Sequence, residues 1–286
     1  MSEHLRLNVY LAKSGHCSRR KADDLIESGV ITINHAVVKD TGYEVQQKDT
    51  VRHLKKVITL NAAPPLVLVM NKPTGVVTTA SDEKNRLTVI DILKKNLKTR
   101  VYPIGRLDIN TTGTLLLTND GDLAYALTHP SFETKKVYKA TLSRELTDEH
   151  LEQIKKGVYL DDGKVVVDSI HRAQNKSRVT IFLHSGKNRI IRRIFEKFGY
   201  SVKDLERTLF ATVDCKRVAV GEYRFLTPVE IEKLKEYVAK RTLAVSAEKK
   251  LTVKKPKKRV RISTPRPRGT SREAAGNKKR VSRKKE

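Results

Sequence analysis

Between residues 66 and 238 the chain returns repeatedly to short runs of Val, Ile, Leu and aromatic residues, and these runs restrict the folds open to it. Bounded by polar residues, such runs predict strands at 67–70, 76–79, 101–104, 115–118, 137–142, 165–170, 179–184 and 208–213. Apolar residues at helical spacing predict helices at 89–95, 122–127, 148–156, 188–198 and 229–239. Because strands and helices do not alternate regularly, we expect an α+β domain with a mixed, largely antiparallel sheet flanked by helices, rather than a doubly wound one.

The first 60 residues predict a smaller unit of two helices followed by a β-hairpin. The first helical pattern stops at Gly15. Ser18 can cap a second helix that runs through Ile26 and ends at Gly29. Two short apolar runs then flank the polar turn at residues 34–35, which is typical of a hairpin.

Composition changes sharply at two places in the chain. Residues 61–65, Asn-Ala-Ala-Pro-Pro, predict a stiff linker because proline prevents a helix from continuing. Residues 240–286 contain 19 basic and 3 acidic side chains and no aromatic residue, so burial cannot offset the entropy lost on ordering them. We therefore expect domains at 1–60 and 66–239, followed by a disordered basic tail at 240–286.

The charge of the chain indicates a polyanionic partner. It has 59 Lys and Arg against 32 Asp and Glu, a formal net charge of +27, which favours nucleic acid. Cys17 and Cys215 are too far apart in sequence to suggest a disulfide framework or a zinc site. No apolar run approaches the ~20 residues of a membrane span, so we expect a cytoplasmic protein with no membrane partner.

Several cofactor-binding and catalytic motifs are missing from the sequence. It has no glycine-rich loop ending in Gly-Lys-Ser/Thr, no Gly-x-Gly-x-x-Gly after a strand, no HExxH and no serine in a nucleophile elbow. We therefore expect neither a cofactor nor a metal. Polar clusters instead follow the predicted strands, where scaffolds commonly carry function. They lie at residues 71–75, 105–121, 136–139 and 186–193.

The N-terminal unit resembles the S4-like RNA-binding module shared by a small-subunit ribosomal protein, tyrosyl-tRNA synthetases and several RNA-modifying enzymes. The matching residues are Leu5, Leu11, Gly15, Ser18, Arg19, Ala22, Ile26, Gly29, Val30 and Asn34, with His35 in place of the usual glycine. Three cations at the start of the second helix oppose its dipole, which favours an anionic partner there. The resemblance implies RNA contacts by Arg6, Ser18, Arg19, Arg20, Lys21 and Asn34.

The four polar clusters, in this order, resemble the pseudouridine synthases of the RsuA, RluB and RluF family. The most specific match is Gly-Arg-Leu-Asp at 105–108, followed by threonines, a glycine, an apolar strand and Thr-Asn-Asp-Gly at 118–121. The resemblance covers residues 3 to about 238 and implies isomerisation of a uridine in RNA without cofactor or metal. It implies ribosomal RNA or a pre-ribosomal particle as the partner, and we expect a monomer. The basic tail and residues 198–208 favour 23S over 16S rRNA.

By this resemblance Asp108 is the catalytic carboxylate, which attacks the sugar carbon or helps to expel the base. Tyr138 matches the tyrosine that lies against the target base; stacking, proton transfer and simple packing in its strand are all open to it. Lys187 matches the cation beside the aspartate, where positive charge favours the ionised carboxylate. Leu183 matches the apolar residue beneath the base.

Other implied contacts surround this set. Arg106 can fill the space that an extruded uridine leaves, or it forms a salt bridge with Asp108 or Asp120. Small residues at 111–113 are expected to let an RNA backbone approach the carboxylate. The remaining expected contacts are Asn71 and Lys72 with substrate, and Lys136, Arg189, Arg192 and Arg193 with RNA.

Two other functions stay open from the sequence. Ser185 and Ile190 stand where the family has Glu and Gln, and these departures leave room for a non-catalytic rRNA-binding or assembly protein on the same scaffold. A hydrolase that uses Asp108 on small phosphorylated substrates would need a phosphate loop and metal-binding carboxylates, which the sequence lacks.

Overall fold

The computed structural model describes residues 4–60 and 64–253. The first part contains β1 (Leu5–Arg6), α1 (Leu7–Lys13), α2 (Arg19–Glu27), β2 (Ile31–Ile33), β3 (Ala36–Val37), β4 (Glu44–Val45), β5 (Val51–His53) and β6 (Lys56–Ile58). Strands β3, β2, β5 and β6 form one antiparallel sheet in that order, and β1 pairs with β4. The predicted arrangement of two helices and a hairpin is confirmed.

Local signals in the sequence set the boundaries of these elements. The Ser18 hydroxyl accepts an N–H from the first turn of α2 at 3.2 Å, which confirms the predicted cap. Gly15 and Gly29 follow the two helices with φ values of +77° and +74°, which glycine adopts without strain. Asn34 and His35 have φ values of +49° and +73°, as a tight hairpin turn requires.

The second part contains the remaining strands and helices of the described chain. They are β7 (Val67–Lys72), α3 (Val89–Lys94), β8 (Tyr102–Ile104), β9 (Thr112–Thr118), α4 (Gly121–Thr128), a short 3-10 turn (Pro130–Phe132), β10 (Lys136–Leu142), α5 (Asp148–Lys156), β11 (Val158–Leu160), β12 (Gly163–Val165), β13 (Ser169–Arg172), β14 (Arg178–Leu183), α6 (Ile190–Glu196), β15 (Val202–Phe210), β16 (Val213–Asp214), β17 (Tyr223–Phe225) and α7 (Pro228–Val253).

Within the described residues a nine-stranded sheet dominates this part. Its main path is β13-β14-β10-β15-β9-β7-β17, with β16 paired to β15 and β8 paired to β9. Strands β9 and β15 run parallel, and the other pairs in this sheet are antiparallel. The predicted mixed, largely antiparallel sheet is confirmed.

Three predicted strands differ from the observed ones. Residues 76–79 form only an isolated bridge, between Val77 and Thr88, and the Thr78 hydroxyl donates to the Leu107 carbonyl in another loop. The apolar run at 165–170 divides between β12 and β13, with β12 pairing to β11 and β13 to β14. The strand predicted at 208–213 begins at Val202, since both neighbouring strands supply hydrogen-bond partners for the polar residues before it.

Helix α7 begins at its predicted position and continues well past its predicted end. The Thr227 hydroxyl accepts the Glu230 N–H at 3.3 Å, and the Glu230 carboxylate accepts the Thr227 N–H at 2.8 Å, which forms a capping box. No glycine or proline follows inside the helix before Pro256, and α7 continues to Val253, whereas the sequence predicts disorder from residue 240. The rest of the predicted tail and residues 61–63 of the linker lie outside the described residues.

Two apolar clusters meet on one face of the large sheet. One contains Leu115 and Leu107 with residues of α3, and the other contains Ala140 and Leu183 with residues of α6. Tyr138 packs against both clusters. The two clusters therefore adjoin near the middle of the sheet, on the face from which Tyr138 projects. Helices α4 and α7 contribute to a third cluster with residues of β7, β9 and β15. In the described part of the chain, no helix is both long and apolar enough to cross a membrane.

Candidate active site

Asp108 lies in the loop between β8 and β9, with its side chain half-buried. The five successive backbone carbonyls of residues 107–111 each accept a hydrogen bond from another segment of the protein. The backbone around Asp108 is therefore fixed without using its carboxylate.

Lys72, at the end of β7, makes most of these contacts and is fully buried. Its ammonium donates to the carbonyls of Asp108 at 3.2 Å, Ile109 at 3.2 Å and Thr111 at 3.0 Å, and to that of Pro73 at 3.0 Å. Burial lowers the pKa of Lys72 to about 8, and the negative charge of Asp108 opposes that decrease. The predicted substrate contact by Lys72 is wrong, because its side chain supports the loop from inside the protein.

Two further side chains hold the same loop. The Thr78 hydroxyl donates to the Leu107 carbonyl at 2.8 Å. Arg192 of α6 donates to the carbonyls of Asn110 at 3.2 Å and Val202 at 2.7 Å, and it is only 9% exposed. The predicted RNA contact by Arg192 is therefore wrong; its guanidinium joins the Asp108 loop to α6 and β15.

The Asp108 carboxylate forms no hydrogen bond or ion pair with the residues that the structure describes. Arg106 is exposed and is also unpaired among those residues, so the expected salt bridge with Asp108 or Asp120 is not formed. Asp120 instead caps α4, accepting the N–H groups of Asp122 at 3.0 Å and Leu123 at 3.1 Å. The carboxylate is thus positioned through its backbone and left available for chemistry.

Tyr138 and Leu183 belong to one region of apolar packing on the sheet. Tyr138 is half-buried and packs with the cluster that contains Ala140 and Leu142, as strand alternation predicts. It also packs against the cluster that contains Leu107, the residue before Asp108. Leu183 is 1% exposed and belongs to the first of these clusters. Tyr138 thereby lies between the cluster that contains Leu183 and the cluster that contains Leu107, the chain neighbour of Asp108.

Lys187 does not contact Asp108. Its ammonium donates to the Asp162 carbonyl at 2.7 Å and lies 3.6 Å from the Asp162 carboxylate. Arg193 donates to that carboxylate at 2.6 and 3.0 Å and holds the pKa of Asp162 to about 2. In this structure the turn between β11 and β12 engages Lys187, and Lys72 is a cation whose pKa is lowered by burial and raised in part by the charge of Asp108. The catalytic role of Lys187 stays a prediction.

Lys136 and Arg189 occupy different environments. Lys136 is half-buried and donates to the carbonyls of Thr134 and His184, each at 2.8 Å. Burial lowers the pKa of Lys136 to about 8, and the charge of Arg207 adds to the decrease. Arg189 is exposed at the start of α6, 3.9 Å from Glu196. Of the two, Arg189 has the freer side chain for an RNA contact.

Asn71 projects away from the Asp108 side of the sheet. It alternates with Lys72 along β7 and pairs with Thr114, and its side-chain amide donates to the Val218 carbonyl at 2.9 Å. Because successive side chains of a strand point to opposite faces, Asn71 does not share a face with Lys72, and its predicted substrate contact stays a prediction.

Arg207 is a buried residue of this region that sequence reasoning missed. It is 2% exposed, its Nε donates to the Thr114 carbonyl at 2.8 Å, and its guanidinium carbon lies 4.7 Å from the Phe210 ring centroid. Strand β15 pairs Arg207 with Tyr138 on one side and Gly113 on the other. In sequence it stands among charged residues and resembles a surface cation; no local signal indicates its burial.

Gly113 allows β15 to lie against β9. Its φ is +96°, and an added Cβ would stand 2.4 Å from the Arg207 carbonyl oxygen, so a larger residue would displace the strand. Thr111 is 2% exposed. The expectation that residues 111–113 make room for an RNA backbone is therefore wrong, since neighbouring protein segments occupy that space.

The residues predicted to bind RNA in the N-terminal unit lie on its surface. They are Arg6, Ser18, Arg19, Arg20, Lys21 and Asn34. Ser18 caps α2, and the Asn34 amide bonds to Asp49 at 2.8 Å and to the Thr50 N–H at 3.0 Å, so these two residues shape the module. The three cations at the start of α2 remain exposed.

Comparisons with known proteins agree along most of the chain. A family model described as RNA pseudouridylate synthase matches residues 66–197, and an S4 domain model matches residues 5–51. "Ribosomal large subunit pseudouridine synthase B" of Bacillus subtilis (strain 168) is 36% identical over 235 residues, 80% of this chain and 95% of that protein. The protein of the same name from Buchnera aphidicola subsp. Baizongia pistaciae (strain Bp) is 38% identical over 218 residues, 72% and 86% of the two chains. A solved "Crystal structure of pseudouridylate synthase" has a TM-score of 0.58 at 27% identity and covers 80% of this chain and 99% of its own.

Proposed function

The chain belongs to the RNA pseudouridylate synthase family, and from this premise we propose that it isomerises a uridine of large-subunit ribosomal RNA with Asp108 as nucleophile. The two relatives named for the large ribosomal subunit support the choice of RNA. The observation that carries the choice of nucleophile is a carboxylate that forms no hydrogen bond or ion pair with the described residues, on a loop in which the five successive carbonyls of residues 107–111 are bonded.

The proposed chemistry uses the Asp108 carboxylate at the sugar carbon C1′. A bond forms between a carboxylate oxygen and C1′, the C1′–N1 bond breaks, and its electron pair leaves with the uracil. The base then turns, its C5 displaces the carboxylate from C1′, and the C5 proton is lost. Fixing the backbone that carries the carboxylate lowers the entropic part of the barrier.

Binding of the RNA is assigned to both parts of the chain. The S4-like unit, proposed as residues 1–60, contacts RNA through Arg6, Arg19, Arg20 and Lys21, while Arg106 enters the space of the extruded uridine in the domain at 66–239. Extrusion costs about 2–5 kcal/mol of unstacking, which the phosphate contacts offset. We further propose a monomer that acts in the cytoplasm on rRNA or a pre-ribosomal particle.

Asp108→Asn tests this proposal. The amide keeps the shape of the side chain but is a poor nucleophile, so we expect isomerisation to fall by at least ~10³-fold. RNA affinity and the melting temperature should stay unchanged. The measurement is chromatography of nucleosides after incubation with large-subunit and small-subunit rRNA transcripts.

The matched control is Asp122→Asn, which alters an exposed aspartate in the first turn of α4. It should isomerise at the wild-type rate. If neither the wild type nor Asp108→Asn isomerises uridine in any rRNA while both still bind RNA, the non-catalytic alternative would be supported instead.

A further inference from the structure

Arg207 is a buried cation without an anion. It is 2% exposed and forms no ion pair with any residue that the structure describes. Its Nε bonds to a backbone carbonyl, but its Nη2 is buried and has no hydrogen-bond partner. Burying an unpaired charge costs several kcal/mol, and a buried polar group without a partner in a folded protein needs a specific explanation.

Strand pairing places Arg207 in a row across the middle of the sheet. Tyr138, Arg207, Gly113 and Lys72 are successive partners on β10, β15, β9 and β7. Paired residues project from the same face of a sheet, and Gly113 has no side chain to separate Arg207 from Lys72. Arg207 is therefore the direct strand partner of Tyr138, the tyrosine that we assign to the base, and Gly113 lies between it and Lys72.

A second cation strengthens the positive field at this place. Lys136 lies close enough for the Arg207 charge to lower its pKa, and both cations approach the Phe210 ring, with distances to its centroid of 4.7 Å for Arg207 and 5.9 Å for Lys136. Two neighbouring like charges in a poorly solvated region repel each other. This positive field is available to stabilise negative charge that appears beside it.

The proposed reaction moves negative charge through this region. Before the first step the charge is on the Asp108 carboxylate. After the oxygen–C1′ bond forms and the C1′–N1 bond breaks, the same charge is spread over N1 and the two carbonyl oxygens of the detached uracil. No proton needs to move in this step, so a fixed cation is the simplest means of stabilising the product of bond cleavage. Such preorganised charges are often the largest catalytic contribution.

We propose that Arg207 is a positioning residue for this reaction, whose fixed charge acts through the adjacent Tyr138 to stabilise the detached uracil as it acquires negative charge. The inference rests on the proposed function. It requires no contact between RNA and Arg207, in agreement with the burial of the side chain. It also explains why an arginine is used, since guanidinium stays charged at every physiological pH.

Two substitutions separate the charge from the shape of this side chain. Arg207→Met keeps most of the apolar stem and removes the charge. Arg207→Lys keeps the charge and replaces the planar guanidinium group by an ammonium group. We expect single-turnover isomerisation by Arg207→Met to be slower by ~10²-fold, and that by Arg207→Lys to remain within ~10-fold of the wild type. The dissociation constant for the rRNA transcript should change less than ~3-fold in both, because Arg207 does not touch RNA.

The control is Arg144→Met. Arg144 also stacks on an aromatic ring, 4.5 Å from the Tyr200 centroid, and donates to backbone carbonyls, but it is exposed and outside the site, so its rate should equal the wild-type rate. Each rate is measured at a temperature where circular dichroism shows the variant folded.

Three results would overturn the inference. They are a rate for Arg207→Met within ~3-fold of the wild type, equal slowing of the Met and Lys variants, and a loss confined to RNA affinity. If Arg207→Met does not fold, Arg207→Lys decides alone: a rate within ~10-fold of the wild type supports the role of the charge, and any greater loss counts against it. A wild type that isomerises no rRNA would contradict the proposed function, whereas an active wild type with a fast Arg207→Met contradicts only this inference.

Discussion

At the scale of single residues, the candidate site separates the fixing of the backbone from the freedom of the carboxylate. Lys72 bonds to carbonyl oxygens rather than to the Asp108 carboxylate, although its charge acts on that group. A tight ion pair would hold the carboxylate but would also reduce its nucleophilicity. Bonding through the backbone avoids this conflict.

Lys72→Met should therefore damage both stability and turnover. It leaves several buried carbonyls without their donor, so we expect the free energy of unfolding to fall by about 3 kcal/mol and isomerisation by at least ~10-fold. Urea denaturation and a single-turnover assay measure the two effects.

Lys139→Met is the control for Lys72→Met, because Lys139 is exposed and alternates with Tyr138 along β10. It should leave stability within ~0.5 kcal/mol of the wild type. Wild-type stability in Lys72→Met would show that the carbonyl contacts do not hold the loop.

At the scale of elements, Asp162 in the β11–β12 turn binds Lys187 and Arg193, two cations that the sequence assigns to the catalytic region. Asp162 accepts hydrogen bonds from Arg193 and binds Lys187 through its carbonyl. Both cations are partly exposed. Asp162 therefore engages donors of two side chains to which the sequence assigns a role in catalysis or RNA binding.

Asp162→Asn should make RNA binding stronger and more dependent on salt. The amide releases Arg193 and Lys187 for phosphate contacts, so we expect the slope of log K against log salt concentration to steepen by ~1–2. Titration of rRNA at several salt concentrations measures this slope.

Asp161→Asn is the matched control for Asp162→Asn. Asp161 is adjacent and also acidic, but it forms no hydrogen bond or ion pair within the part of the chain that the structure describes. Each substitution removes one negative charge from the same turn. Equal slopes for the two variants would mean that net charge alone, and not the release of two cations, governs binding.

The start of α7 carries a pH-dependent contribution to stability. Glu230 forms hydrogen bonds of 2.7 Å with each Nη of Arg224, and these bonds lower the pKa of Glu230 from 4.5 to about 2. Because the folded-state pKa lies below the unfolded value, this stabilisation is complete above pH 4.5 and is lost as the pH falls toward 2.

Arg224→Met should remove most of this dependence on pH. Between pH 5 and pH 2.5 we expect the wild type to lose about 1–2 kcal/mol more stability than the variant, after allowance for solvent screening of a partly exposed pair. Denaturant unfolding across this range gives the difference. Parallel curves for the two proteins would rule out the ion pair as the titrating element.

At the scale of the whole molecule, the order of strands assembles the site. Strand β15 comes late in the chain but inserts between β10 and β9. Arg207 is thereby paired with Tyr138 on one side and with Gly113 on the other. The parallel pairing of β15 with β9 depends on a glycine at that point. Residues from distant parts of the sequence thereby share one face.

Much of this arrangement follows from local sequence. Helix α5 has its predicted bounds, Asp148–Lys156, and the caps and glycines that end α1 and α2 lie where they were expected. The run from Gly105 to Gly121 indicated both the strand β9 and the acid at Asp108. Local patterns determine these features because capping, alternation and turn geometry depend on residues only a few positions apart.

Tertiary structure, and not local sequence, determines what each of the basic side chains contacts. Lys72 and Arg192 bind backbone inside the protein, Lys187 binds Asp162, and Arg207 is buried beside Tyr138. In sequence each of the four is a cation in a polar segment. Whether such a charge meets RNA, a carbonyl or a carboxylate depends on which strands become neighbours and in what register, and residues far apart along the chain fix those relations through the packing of the whole sheet.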